Sequence, residues 1–256
     1  MLSSIRAVIL DWAGTTVDHG SIAPALAFVE IFHRRGIEIT LAEARGPMGK
    51  SKRDHIASIA ALPRVTALWR DRYGDQPNEA DIHAMYLDFT PLQKQILKNH
   101  SDVIPGVVEA VQDFRDRGFK IGSSTGYSRE LIEVVLPHAA KAGYSPDVVI
   151  TADDVPAGRP APWMNFAVAQ QLGIYPMQSI LVVDDTPIGI AAGVNAGAVT
   201  IAVTRTGNSL GLSEQDTARL SSMELQSRLE SIKREFLDAG ATYVVESVGD
   251  IRLLLQ

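Results

Sequence analysis

Six short apolar runs rich in β-branched residues punctuate this chain, at residues 7–10, 121–124, 148–151, 180–183, 200–203 and 243–246. Continuous apolar runs of this length suit strands buried on both faces. Amphipathic stretches separate most of them. In one, Val107, Val111 and Phe114 share a helical face, and Gly118 stands where a helix ends on glycine. Strands that alternate with helices pack as a parallel sheet with right-handed crossovers. The expected fold class is therefore α/β, a Rossmann-like doubly wound parallel sheet.

The interval between the first two runs breaks this rhythm. From about Ser21 to Asn99 nothing reads as a strand, and the apolar spacing is helical: Leu26, Val29, Ile31 and Phe32; then Ile56, Ile59 and Leu62; then Ile82, Met85, Tyr86 and Phe89. Ile104-Pro105-Gly106 marks the return to the sheet. The expected organisation is a core of residues 1–19 and 102–256 carrying an inserted all-helical cap at 20–101. Linkers near residues 19 and 101 would let the cap close over the sheet edge and exclude water. Farther on, Leu225, Leu229, Ile232 and Phe236 recur at helical spacing and are expected to pack on the core.

A chain of 256 residues, 46% of them hydrophobic, can bury a core of this size and an insert besides. A net charge of −6 gives no pull toward nucleic acid or an anionic membrane, so neither is expected as a partner. No apolar run approaches the roughly 18 residues of a spanning helix. The chain has no cysteine, which excludes disulfides, thiolate nucleophiles and thiolate metal sites. Met1 to Arg6 is short for a signal peptide, and a cytoplasmic location is the expectation.

Open α/β sheets bind ligands at the carboxyl ends of their strands. The first run ends in Asp11-Trp12-Ala13-Gly14-Thr15-Thr16-Val17-Asp18. Asp11 is a candidate nucleophile, since carboxylates form acyl phosphates; an Asp there could also cap the following turn. Ser123-Ser124-Thr125-Gly126-Tyr127 ends the second run, where a hydroxyl and free N–H groups make an anion-binding nest or a plain turn. Arg159, in Ala157-Gly158-Arg159-Pro160 after the third, carries a permanently charged fork suited to phosphate oxygens or to a surface ion pair. Asp184 and Asp185 end the fourth run. Adjacent acids there are costly unless solvated or bound to a cation, and oxygen ligands beside a phosphate suit Mg²⁺.

In the insert, Arg45-Gly46-Pro47-Met48-Gly49-Lys50-Ser51-Lys52-Arg53-Asp54-His55 stands out. Ser51 reads as an N-cap, with Asp54 three residues on in a capping-box arrangement. Lys52 then falls in the first helical turn, where the positive end of the dipole disfavours an ammonium ion. Loss of that charge is what an amine nucleophile requires. His55 lies one turn on, on the same face. Two exposed lysines and a surface histidine at a helix start would fit the same spacing.

Taken together, the four core segments occur in the order of the haloacid dehalogenase superfamily, each at a strand end. In its phosphatases the residue at Asp11 attacks phosphorus, and a second Asp two positions later protonates the leaving oxygen; here that position is Ala13. The opening DWAGTTVD, the segment PMGxxKxxH at 47–55, the turn TGY at 125–127, and DDVPAGRP at 153–160 with Pro162-Trp163-Met164 behind it resemble the phosphonoacetaldehyde hydrolase family, over nearly the whole chain. The resemblance implies cleavage of the carbon–phosphorus bond of a small phosphonate, phosphonoacetaldehyde, to acetaldehyde and phosphate. It implies a Schiff base on Lys52, a phosphoryl group carried by Asp11, proton transfers assisted by Met48 and His55, and a close approach at Gly49. It places the substrate on Thr125, Gly126, Tyr127 and Arg159, and Mg²⁺ at Asp11, Ala13, Asp184 and Asp185. It also implies a homodimer.

The imine accounts for Ala13. Carbon is a poor leaving group unless its electrons are delocalised, and a protonated imine accepts them without an acid beside the nucleophile. Two further positions depart from the family pattern: Asp184 stands where a Gly is usual, and Gly189 where a later acid is usual. Asp184 would then take over support of the metal site. A cysteine found near the first motif in some members is Ser21 here. The alternatives are a phosphate-ester phosphatase or phosphomutase, against which Ala13 argues, and a catalytically silent phospho-ligand-binding protein, against which Lys52 argues.

Overall fold

The computed structural model describes residues 2–255, so that Met1, the first residue of the segment judged too short for a leader, and Gln256 lie outside the described residues. All six apolar runs form strands: β1 (Ala7–Leu10), β2 (Lys120–Thr125), β3 (Val148–Thr151), β4 (Ile180–Asp184), β5 (Val199–Val203) and β6 (Tyr243–Val245). They make one parallel sheet in the order β3-β2-β1-β4-β5-β6. Five helices lie between β1 and the return at Ile104-Pro105-Gly106: α1 (Ile22–His33), α2 (Leu41–Arg45), α3 (Lys52–Ala60), α4 (Pro63–Tyr73) and α5 (Glu79–Leu97). The rest are α6 (Val107–Asp116), α7 (Arg129–Lys141), α8 (Trp163–Leu172), α9 (Pro187–Ala196), α10 (Glu214–Arg219), α11 (Ser222–Asp238) and α12 (Ile251–Leu254).

Side-chain alternation explains why the strands are apolar throughout. Val8 and Leu10 join Val107, Phe114 and Leu131 on one face of the sheet. Ala7 and Ile9 join Met164, Val168 and Leu172 on the other. The chain runs from β1 outward through β2 and β3, then returns to β4 on the opposite side of β1. The connections diverge at that point and leave a crevice at the carboxyl ends of β1 and β4. Leu10 sits opposite both Ser123 and Val183, so Asp11, Thr125 and Asp184 emerge at one edge.

Helices α1 to α5 surround a hydrophobic core of their own, with Phe28, Ile31, Phe32, Ile56, Met85 and Phe89 among its members. The fold is thus a Rossmann-like sheet with an all-helical insertion. Apolar spacing did not signal α2 or α4, because each buries so little: Ala44 in α2, Val65 and Trp69 in α4. Leu26, grouped by spacing with the buried face of α1, is 41% exposed; Phe28, Ile31 and Phe32 set that face. Gly118 follows the C-cap of α6 with φ of 80°, as its position suggested. In α11, Ile232 and Phe236 are buried and Leu225 and Leu229 pack beside them, as expected. No helix among the described residues is long and apolar enough to cross a membrane.

The chain leaves β1 and returns to β2 through adjacent linkers: Asp18 N–H donates to Asp102 O at 3.0 Å. Asp18 and Ser21 adopt left-handed φ values of 54° and 50°. The Asp18 carboxylate accepts from Ala23 N–H at 2.9 Å, fixing the start of α1 against the linker.

Candidate active site

Strand β1 delivers Asp11, and β4 delivers Asp184 and Asp185, into the crevice. All three are buried, and one carboxylate oxygen from each lies within 4.8 Å of the others. Arg159 joins them. Its Nη2 donates to Asp11 Oδ1 at 2.7 Å and to Ser124 O and Oγ at 3.0 and 3.1 Å, and its Nη1 lies 3.1 Å from Asp184 Oδ2. Asp184 Oδ1 accepts from Thr186 N–H at 2.9 Å and Thr186 Oγ1 at 2.7 Å. Asp185 Oδ2 accepts from Asn208 N–H at 2.7 Å, and its Oδ1 accepts from Thr15 Oγ1 at 3.4 Å.

Burial pushes the Asp11 carboxyl up to about 7; Arg159 opposes the rise and Asp184 adds to it. Burial, then the charges of Asp11 and Asp184, hold Asp185 well above the usual carboxylate range. Ionised together, the three buried acids would carry more negative charge than Arg159 offsets. Donors that are all oxygen suit a hard divalent cation, so the residues fit one. Ala13 borders the same cavity and offers only main-chain groups.

The insert supplies the opposite wall. Ser51 caps α3: its Oγ accepts from Asp54 N–H at 3.3 Å and donates to Asp54 Oδ2 at 2.7 Å. The reciprocal contact thus runs from hydroxyl to carboxylate rather than to the Ser51 N–H. Lys52 is the first helical residue and is buried. Its Nζ stands 4.7 Å from the Tyr127 ring centroid and 5.6 Å from that of Phe28. Its amine falls to about 8, from burial first, with Asp11 opposing and Arg159 assisting. The helix start places Lys52, but burial is the main cause of the shift. Lys50 instead donates to Ser58 Oγ at 2.8 Å.

His55 is fully buried, and its ring stacks on Phe28 with centroids 3.6 Å apart. Its Nε2 lies 2.8 Å from Ala44 O, and a carbonyl only accepts, so Nε2 carries the proton. Nδ1 has no partner among the described residues. Burial, together with the Lys52 charge, holds this imidazole well below its ordinary pKa and therefore neutral.

Asp11, Ala13, Met48, Gly49, Lys52, Thr125, Gly126, Tyr127, Arg159 and Asp185 are among the residues that line one cavity of about 20 Å³. That is room for about one water. Asp184 borders the cluster from behind Arg159, and His55 is packed against Phe28 without lining the cavity. Sequence reasoning missed four contributors: Ser124, which accepts from Arg159; Thr15 and Asn208, which hold Asp185; and Phe28, between Lys52 and His55. Ser124 and Thr15 lay inside motifs already singled out. Asn208 follows β5 in a loop without a motif, and no local pattern marks it.

A family model for haloacid dehalogenase-like hydrolases matches residues 5–197. A phosphonoacetaldehyde hydrolase of Bacillus cereus (strain B4264) is 44% identical over 252 residues, covering 98% of this chain and 96% of that protein. One of Nitratidesulfovibrio vulgaris is 46% identical, covering 96% of this chain and 88% of that protein. The solved structure of a phosphonoacetaldehyde hydrolase-like protein from Oleispira antarctica is 40% identical, with a TM-score of 0.97 over 99% of this chain and 92% of that one. The chain belongs to the haloacid dehalogenase-like hydrolases and, within them, to the phosphonoacetaldehyde hydrolase family.

Proposed function

We propose that this protein hydrolyses the carbon–phosphorus bond of phosphonoacetaldehyde, giving acetaldehyde and phosphate. One observation carries the reading: a buried amine lowered to about 8, Lys52, lines the same cavity as Asp11 and Arg159, the amine from the insert and the others from the sheet. The relatives at 44% and 46% identity bear the name of this activity.

The neutral Lys52 Nζ adds to the aldehyde carbon and water leaves, forming an imine that is protonated at nitrogen. Asp11 attacks phosphorus in line. The carbon–phosphorus electron pair passes into the iminium, leaving an enamine on Lys52 and an aspartyl-phosphate on Asp11. No leaving-group acid is needed, which fits Ala13. Arg159, Thr125 and Gly126 N–H stabilise the phosphoryl charge. Asp11, Ala13, Asp184 and Asp185 would hold Mg²⁺, which would supply further positive charge beside the phosphoryl group. The enamine takes up a proton, and water releases acetaldehyde from Lys52. A second water cleaves the aspartyl-phosphate. His55, with Nδ1 free to accept, and Met48 at the cavity wall assist the proton transfers; Gly49 and Tyr127 shape the substrate's seat.

In this reading residues 20–101 move as a cap on the core of 1–19 and 102–256, because the present cavity is too small for the substrate. The enzyme acts as a cytoplasmic homodimer on a small phosphonate. The test is phosphate release from phosphonoacetaldehyde beside p-nitrophenyl phosphate, with Mg²⁺ and after EDTA dialysis. Release from the phosphonate alone, lost with EDTA and restored by Mg²⁺, supports the proposal. Release chiefly from the aryl ester, or activity without a cation, overturns it.

A further inference from the structure

Arg45 ends α2, and among the described residues its guanidinium hydrogen-bonds outside that helix. Nη1 donates to Gly20 O at 2.8 Å and Ser21 O at 3.3 Å in the first linker, and to Asn208 Oδ1 at 3.0 Å. Nη2 donates to Gly211 O at 3.1 Å. Asn208 Nδ2 donates back to Arg45 O at 3.3 Å, while Asn208 N–H donates to Asp185 Oδ2 at 2.7 Å. One side chain of the insert is thus separated from a carboxylate of the acidic cluster by a single residue. The loop carrying Asn208 is tied to the linker and the first motif as well: Gly20 N–H donates to Thr206 O, and Thr206 Oγ1 to Gly14 O, both at 2.7 Å. A Cβ on Gly211 would lie 2.9 Å from Arg45 Cζ, so the guanidinium fills the space a side chain there would need.

We propose that Arg45 is a positioning residue that makes closure of the insert and placement of the Asp185 carboxylate a single event. A planar fork spans linker and loop at once. With the insert closed, Arg45 holds Asn208 in place, and the Asn208 N–H aims Asp185 at the cluster. With the insert swung away, linker and loop separate and that aim is lost. Cation binding and closure therefore favour one another. The inference rests on the acidic cluster being a cation site.

Mn²⁺ serves as the probe, titrated into the full chain without substrate and read by the electron-paramagnetic signal of the unbound ion. Arg45→Ala and Asn208→Ala should each weaken Mn²⁺ binding about tenfold, the scale seen when a partner behind a metal ligand is removed. Arg45→Lys should fall between wild type and Arg45→Ala. The double variant should bind no more weakly than either single one, because both losses break the same link. Wild-type Mn²⁺ affinity in Arg45→Ala and Asn208→Ala, even with lowered thermal midpoints, overturns the proposal, as do additive losses in the double variant. If Arg45→Ala fails to fold, Arg45→Lys and Asn208→Ala decide on the same criteria. Absence of Mn²⁺ binding by the wild type would remove the cation site and this inference together; binding unchanged in the variants removes this inference alone.

Discussion

A Cβ placed on Gly189 would lie 2.0 Å from Asp184 Cγ and 2.1 Å from each of its carboxylate oxygens. The Asp184 carboxylate therefore occupies the space that a side chain at 189 would enter. An acid at 184 thus leaves room only for glycine at 189, and the expectation is that Asp184 serves from the strand end where the family pattern puts an acid on α9. Gly189→Asp alone should cut turnover and Mg²⁺ activation at least tenfold, since two carboxylates cannot share that volume. Asp184→Gly alone should weaken Mg²⁺ activation. Asp184→Gly with Gly189→Asp should recover most of the loss. Mg²⁺ titration of activity checks this; a double variant no better than Asp184→Gly would refute that role for Asp184.

Asp11→Asn should lose phosphate release by several orders of magnitude, as removal of an activated nucleophile does. Imine formation should survive, because Lys52 acts on the aldehyde without Asp11. Borohydride added with phosphonoacetaldehyde should still leave a permanent adduct on Lys52, detected by peptide mass. Near-native phosphate release from the variant would dismiss Asp11 as nucleophile.

Lys52 imposes a pH dependence of definite sign. With its amine lowered to about 8, roughly one-tenth is neutral at pH 7, against about one in 3,000 for an ordinary lysine. The rate of borohydride trapping should therefore rise about fivefold from pH 7 to pH 8 and level off above about pH 9. Lys52→Arg should form no adduct, because guanidinium stays protonated, whereas Lys50→Arg should keep substantial activity. Stability shows the opposite side of the same shift. Between about 8 and 10.5 the unfolded chain holds the Lys52 proton more tightly than the folded one. Its burial cost is thus fully present below pH 8 and fades as pH rises through that window. A trapping rate flat from pH 6 to 9, or an adduct on Lys50, would move the imine elsewhere.

Gly126→Ala tests docking of the insert. A Cβ on Gly126 would stand 2.8 Å from Lys50 O and 3.1 Å from Gly49 O, both main-chain atoms of the insert's loop. The alanine suits the core turn but holds that loop off, and Lys52 with it. A shift near 1 Å in reacting groups costs about a hundredfold. kcat/KM should fall on that scale while the thermal midpoint of the core stays close to wild type. Unchanged kcat/KM would mean that the loop does not seat against Gly126 during turnover.

The six strands were legible because a strand covered by helices on both faces has to be apolar throughout, and such runs are visible locally. The acids at their ends were legible for the converse reason: Asp11, Asp184 and Asp185 are expensive at those places and call for a function. Ser51 and Lys52 were legible because a helix start is a local event, settled within three residues. Gly49 and Ala13 came from resemblance, since nothing in their own chemistry announces them.

Helices α2 and α4 escaped because one or two buried residues make no period. Asn208, Phe28 and the reach of Arg45 escaped because their partners lie far along the chain: Arg45 meets Asn208 across 163 positions. Local sequence by itself determined which segments become strands, where their carboxylates emerge and which lysine begins a helix. Tertiary structure alone decided that Lys52 is buried against Tyr127 opposite Asp11, and that Asp184 fills the place beside Gly189. Apolar period and capping are properties of neighbouring residues. Desolvation, charge coupling and exclusion of a Cβ arise only when distant segments come within a few ångströms.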